Sequence, residues 1–202
     1  MVTFGFVRHG LTDWNSQNRA QGQHDVPLNE EGIRQARLLG QRLADEHWDF
    51  LYSSDLSRAR ITAEILAEVM GMRVTGIDPR LREKSHGRLD GTTVAERIAL
   101  WGEDWAKLEH GEESVDSILA RSTDFLRELA ARHPGKKILI VSHGAWIART
   151  VEHLLKVDDI PHVGNTSICV LSGDGEEWSC LLPPCAEHLN EPAGTSEDSC
   201  AE

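Results

Sequence analysis

Two stretches of the chain end alike. In "TFGFVRHG" an apolar run stops on Arg8, His9 and Gly10, and in "KKILIVSHG" another stops on Ser142, His143 and Gly144. Imidazole has an ordinary pKa near 6.5, so its neutral form is available at cell pH, where it can act as a nucleophile. Guanidinium is a fixed cation whose planar fork suits the paired oxygens of a phosphate. A glycine behind each histidine allows a sharp turn and a close approach of backbone to ligand. A lone histidine after a strand is usually only a polar cap. Two of them with one arginine point to chemistry without deciding which.

These residues need elements that bring them together. Residues 3–8, "DFLYSS", "MRVTGI", "KILIV", "SICVLS" and "EWSCLL" read as strands. Between them run helical patterns: from the N-cap Asn29 to about Glu46, from Ser57 to a stop at Gly71, from the cap Ser114 to Ala131, and over "AWIARTVEHLL". "KILIV" is apolar throughout, as expected of a strand covered on both faces. This alternation predicts an α/β fold, a three-layer α/β/α sandwich around a largely parallel sheet. In such a sheet ligands bind beyond the carboxyl ends of the strands. Both histidines are then delivered to one rim.

The bulk properties limit the function. One domain is expected over 1–189, with the polar, acidic "NEPAGTSEDSCAE" at 190–202 as a flexible tail. A net charge of −12 argues against nucleic-acid binding, so an anionic ligand needs a local positive cluster. No apolar stretch has the length of a membrane span and no basic leader opens the chain, which leads to a cytoplasmic location. The four cysteines, Cys169, Cys180, Cys185 and Cys200, form no C-x-x-C pair and are expected to be reduced, structural thiols.

Five blocks then occur in order: "VRHGLTDWN", "QGQHDVPLNEEGIRQA", "YSSDLSRARITAEI", "LREKSHGRLDG" and "VSHG". Together they resemble the histidine phosphatase (phosphoglycerate mutase-like) superfamily, over about residues 3–172 and the late "EHL" at 187–189. The length of the chain and "SHGRLDG" look more like the small phosphatases of the family than its glycolytic mutases. The resemblance makes His9 the nucleophile that takes the phosphoryl group. It puts Arg8, Arg58 and His143 around the phosphate with Asn15 beside them, and it makes Glu83 the proton donor. Thr12, Gln21, Gly22 and Gly144 fall at positions that line the same pocket, and His86 falls where the leaving group would sit.

Physical chemistry supports these roles independently. Phosphoryl transfer asks mainly for in-line positioning and for stabilisation of charge on the equatorial oxygens. Nearby arginines disfavour the imidazolium and keep the nucleophile neutral. A covalent phosphohistidine divides one difficult displacement into two easier ones. The scheme uses no metal and no cofactor, and the only expected partner is a small-molecule phosphomonoester. The other histidines, His24, His47, His110, His133, His153 and His162, read as surface or structural, and His188 as a weaker candidate for the site.

Three alternatives stand beside metal-independent hydrolysis: mutase-type phosphoryl transfer, a noncatalytic phosphate-binding protein that keeps the fold, and metal-dependent hydrolysis, which sensitivity to a chelator would separate. A mutase must hold a second anionic group, whereas segment 92–120 carries Glu96, Glu103, Asp104, Glu109, Glu112, Glu113 and Asp116 against Arg97 and Lys107. An acidic lid is expected to disfavour such a group and to select a neutral or cationic leaving group. Trp101, Trp105 and Leu108 form a candidate exposed apolar patch for a chain that is a monomer or a homodimer.

Overall fold

The computed structural model describes residues 1–190. Its strands are β1 (Val2–Arg8), β2 (Phe50–Ser53), β3 (Gly76–Ile77), β4 (Lys137–Ser142), β5 (Ile168–Gly173) and β6 (Trp178–Cys185). They form one six-stranded sheet in the order β3-β2-β4-β1-β5-β6. The first four strands are mutually parallel, and β5 and β6 close one edge in antiparallel fashion. The helices are α1 (Asp13–Ser16), α2 (Glu30–Leu43), α3 (Ser57–Met70), α4 (Val94–Trp101), α5 (Val115–Arg132) and α6 (Gly144–Leu155).

Strand periodicity explains the layering. Successive side chains of a strand point to opposite faces. Phe4 and Phe6 of β1 and Ile138 and Ile140 of β4 pack with Ile118, Phe125 and Leu129 of α5 and Trp146 and Val151 of α6. Val7, Leu139 and Val141 face the other way, into Leu39 and Leu43 of α2 and Ala63 and Leu66 of α3. Both faces of β1 and β4 are therefore covered, which is why these strands read as continuous apolar runs.

Most elements follow the local signals. Asn29 caps α2 by accepting from the Gly32 N–H at 2.9 Å, Ser114 caps α5, and Gly71 closes α3 with φ at +65°. The third strand, expected over 72–77, narrows to Gly76–Ile77, and Thr75 only bonds Leu51 of β2 through its backbone and hydroxyl. Helix α2 stops at Leu43 instead of Glu46. The short α1 and α4 carry too few turns to show periodicity, but each starts at a capping box, Thr12 with Asn15 and Thr93 with Glu96. Trp101 and Trp105 are half-buried, against the His110 ring and under the Arg97 guanidinium, so Leu108 alone of the expected patch is exposed. The expected tail lies outside the described residues except for Asn190. No described helix is long and apolar enough to cross a membrane.

The ends of β1 and β4 carry the consequence for function. Arg8 pairs in register with Ser142, and the His9 N–H donates to the Ser142 carbonyl at 3.0 Å. Both His-Gly turns thus leave adjacent parallel strands at the same edge. Gly10 is required there because a Cβ on it would fall 2.4 Å from the Gly32 carbonyl oxygen at the start of α2.

Candidate active site

His9 and His143 lie side by side beyond that edge, with ring centroids 5.1 Å apart, and both are buried. The His9 Nδ1 sits 2.7 Å from the carbonyl oxygen of Gly10. A carbonyl can only accept, so Nδ1 carries the hydrogen and Nε2 keeps its lone pair. Burial pushes the His9 pKa well below 6.5, and the charges of Arg58 and Arg8 push it further, against the Gly10 bond. His143 is lowered in the same way, by burial and then by Arg58, His9 and Arg8. Both rings are neutral.

The two arginines are held by carbonyls, not by carboxylates. Arg58, at the start of α3, is completely buried and donates to the Gly22 and His24 carbonyls at 2.8 and 2.7 Å. Gly22 has φ at +47°, and a Cβ there would collide with the Asp90 carboxylate. Arg8 donates to the Val163 carbonyl at 2.8 Å. Burial lowers both guanidinium pKa values, that of Arg58 to about 10, while the negative charge of Glu83 acts in the opposite direction. Neither is bonded to a carboxylate, so their charge stays available for an incoming anion. His143 meets the Ser54 hydroxyl through Nε2 at 3.0 Å. Among the described residues, Arg8 Nε, Arg58 Nε and His143 Nδ1 are buried without any hydrogen-bond partner. Groups of this kind are normally satisfied.

Glu83 reaches the first turn of α6. Its Oε1 accepts from the Lys84 and Trp146 N–H groups at 2.8 and 3.0 Å, and its Oε2 from Ala145 at 3.2 Å. The cations that surround it in sequence are engaged elsewhere: Arg80 with Asp78, Asp124 and Glu128, Arg82 with Asp55, and Lys84 with Glu112. One cavity wall contains Glu83, Arg8, His86 and Gly144 together with the exposed His162.

The remaining expected residues divide into two sets. Asn15 lines a second cavity, of about 490 Å³, with Arg8, His86, Arg97, His162 and Asn165. Thr12 and Gln21 are buried behind it, where the Thr12 hydroxyl caps α1 and lies 3.0 Å from Gln21 Oε1. Like Gly22, and like the buried His9, Arg58 and His143, they are not among the residues that line either cavity. His110 is structural, with Nε2 2.7 Å from the Trp105 carbonyl oxygen. His188 lies behind the site, bonded to Thr166 at 3.1 Å, with its pKa pushed down to about 4 by burial and by Arg42.

Asn165 carries no signal in the sequence, and the acids of segment 92–120 do not form the unpaired acidic lid expected from composition. Glu96 forms a bidentate pair with Arg19, Glu112 binds Lys84, Glu113 binds Arg121 and Asp104 binds Lys107. Arg97 instead lies over the Trp105 ring, 4.8 Å from its centroid, and bonds Thr92 and the Leu89 carbonyl. The cavity it lines with Arg8 and Arg19 contains no carboxylate. Four of the seven acids of the segment are thus paired with cations, while Glu103, Glu109 and Asp116 are exposed, and none of the seven lines the cavity that Arg97 shares with Arg8.

This arrangement can be set beside known proteins. The family model for the histidine phosphatase superfamily (branch 1) matches residues 4–184. The chain belongs to that superfamily. Phosphoserine phosphatase 1 of Hydrogenobacter thermophilus is 37% identical over 166 residues, 78% of each chain. Phosphoglycerate mutase-like protein 4 of Arabidopsis thaliana is 32% identical over 197 residues, 92% of this chain and 86% of that one. Among solved structures, a mycobacterial glucosyl-3-phosphoglycerate phosphatase in complex with VO3 superposes with a TM-score of 0.82 at 34% identity. It covers 90% of this chain and 98% of its own. With these phosphatase relatives, this histidine phosphatase is a phosphoric monoester hydrolase. Among its described residues, no group of three or more His, Cys, Asp or Glu side chains is placed to hold a metal ion.

Proposed function

We propose that the chain hydrolyses small phosphomonoesters without a metal, through a phosphohistidine on His9. One observation carries this reading: the two arginines whose charges act on His9, and the His143 ring beside it, each keep a buried nitrogen, Arg8 Nε, Arg58 Nε and His143 Nδ1, that no protein group satisfies. A phosphoryl group has oxygens to offer all three. In the first step the lone pair of His9 Nε2 attacks phosphorus and the bond from phosphorus to the ester oxygen breaks. Glu83 enters this step in its protonated form, with the proton on Oε2, the less engaged oxygen, and gives that proton to the leaving oxygen. In the second step water attacks the phosphohistidine, Glu83 takes the proton of that water, and inorganic phosphate leaves. Trapping the phosphorylated His9 tests the scheme.

Arg97 extends the reading to the substrate. A guanidinium without a carboxylate partner, in a cavity that also holds His86 and His162, suits a leaving group with an anionic function. Phosphoserine and glucosyl-3-phosphoglycerate, the substrates that the names of the relatives give, are phosphomonoesters of this kind. The same guanidinium is what favours mutase-type transfer as a second reading, since a mutase must keep its second anion bound between half-reactions. Product analysis separates the two. The free thiols of Cys169, Cys180 and Cys185 support action in the reducing cytoplasm.

A further inference from the structure

The loop between α6 and β5 holds the nucleophile from behind. The Val163 carbonyl accepts from Arg8, and the Thr166 N–H donates to the Arg8 and His9 carbonyls at 3.0 and 3.3 Å. Between them the Asn165 Nδ2 lies 3.0 Å from the His9 carbonyl oxygen, 3.3 Å from that of Gly10 and 3.3 Å from Asn15 Oδ1.

The direction of each of these bonds follows from groups that have no choice. Backbone carbonyls only accept, so the nitrogen of the Asn165 amide must face His9 and Gly10. The Thr12 N–H only donates, and it lies 3.3 Å from the Asn15 amide, so the Asn15 oxygen must face it. Asn165 donates to that same oxygen. The Asn15 NH2 is then turned away from this network and remains the donor available to the cavity that Asn15 and Arg8 line. The Gly10 carbonyl that Asn165 holds is also the acceptor that fixes the hydrogen of His9 on Nδ1.

We propose that Asn165 is a positioning residue that acts on two groups of the site together: the tautomer of His9, through the Gly10 carbonyl, and, jointly with the Thr12 N–H and hydroxyl, the amide orientation of Asn15. The Asn15 half rests on the phosphoryl pocket proposed above, whereas the His9 half concerns the free protein alone.

The test uses the full chain and the variants Asn165→Ala, Asn15→Ala and their combination, with inorganic phosphate as the probe. The first readout is the pair of ¹⁵N shifts of the His9 ring at pH 8 without phosphate. In the wild type Nδ1 should carry the hydrogen, and in Asn165→Ala the ratio of tautomers should move toward Nε2–H by about three- to tenfold, the weight of one ordinary hydrogen bond. The second readout is the calorimetric dissociation constant for phosphate. Each single variant should weaken it about tenfold, as for one bond to a charged group, and the double variant should be no weaker than the worse single. Asn165→Ser keeps one donor, should recover part of both effects, and replaces Asn165→Ala if that variant does not fold. Unchanged His9 shifts overturn the first half. Phosphate affinity unchanged in either single variant, or a loss in the double equal to the product of the two, overturns the second. If the wild type binds no phosphate, the pocket reading and the Asn15 half fail together, and the His9 shifts still decide the tautomer half.

Discussion

The His9 Nδ1–H donates to the Gly10 carbonyl of its own turn at 2.7 Å, so the adjacent residue in the chain decides which nitrogen of His9 faces the site. Burial and two arginines then keep the ring uncharged. A nucleophile needs both conditions, a free lone pair and no proton on it.

Neutral buried histidines make stability depend on pH. In the unfolded chain His9 and His143 titrate near 6.5, while in the fold both are held well below that value. As pH falls below about 6.5 the unfolded state therefore binds protons that the folded state refuses, and stability declines by about 1.4 kcal/mol per pH unit for each such group. His133 and His188 act in the same direction. Urea titrations between pH 8 and pH 5.5 should give a plateau above pH 7 and a decline below it, with a shallower decline in His143→Gln. Stability that holds or rises on acidification contradicts the neutral pair.

Arg58 is completely buried with only two carbonyl acceptors. Arg58→Met takes the donor away from the Gly22 and His24 carbonyls and should cost about 1–3 kcal/mol of stability for each buried acceptor left unpaired, so the fold of the variant is checked alongside its binding. Inhibition by inorganic phosphate should weaken at least tenfold, because a bond to a charged group is lost. Circular dichroism and phosphate inhibition measured on one preparation check both halves, and unaltered inhibition would remove Arg58 from the pocket.

Glu83 should matter in proportion to the basicity of the leaving oxygen. Glu83→Gln keeps the shape but cannot donate an acidic proton, so turnover of alkyl phosphates should drop about 10²–10⁴-fold. Formation of the phosphoenzyme from p-nitrophenyl phosphate should drop far less, with a pre-steady-state burst if attack by water slows. Equal losses on both substrates without a burst assign Glu83 a structural role at the N-terminus of α6.

Arg97 separates substrates by charge. Arg97→Ala should raise KM about tenfold for phosphoserine and leave p-nitrophenyl phosphate nearly unchanged, because only the former brings a carboxylate to the cavity. A uniform effect on both substrates places Arg97 outside the substrate contacts. Conversion of 3-phosphoglycerate to its 2-isomer faster than any hydrolysis selects the mutase reading.

What was legible in the sequence follows from these residues. His9 and His143 stand at the ends of apolar runs, and strand periodicity with parallel topology is enough to bring such positions to one edge. Arg58 and Glu83 needed the family pattern, since neither a helix start nor a loop acid announces where its side chain reaches. Asn165 lies in "VGNTS", which reads as an ordinary turn, and its bonds to His9, Gly10 and Asn15 cross some 150 positions of sequence. The one local sign of constraint, Thr166 with φ at +52°, is visible only in the fold. The lid departs from its composition for a different reason. Composition counts charges, whereas the potential at a site depends on where they lie and which are paired: Glu96, Asp104, Glu112 and Glu113 are paired, and none of the segment's acids lines the Arg97 cavity.

The central claim is that the phosphoryl group passes through His9. Rapid acid quenching destroys phosphohistidine, so the direct measurement is a base quench of the enzyme mixed with ³²P-labelled monoester in excess EDTA, followed by mapping of the labelled peptide. The account predicts a base-stable, acid-labile label on His9 that forms at least as fast as turnover, is unaffected by the chelator, and is absent from a folded but inactive His9→Ala protein. A label on another residue, turnover abolished by EDTA, or near-normal activity in His9→Ala would contradict it.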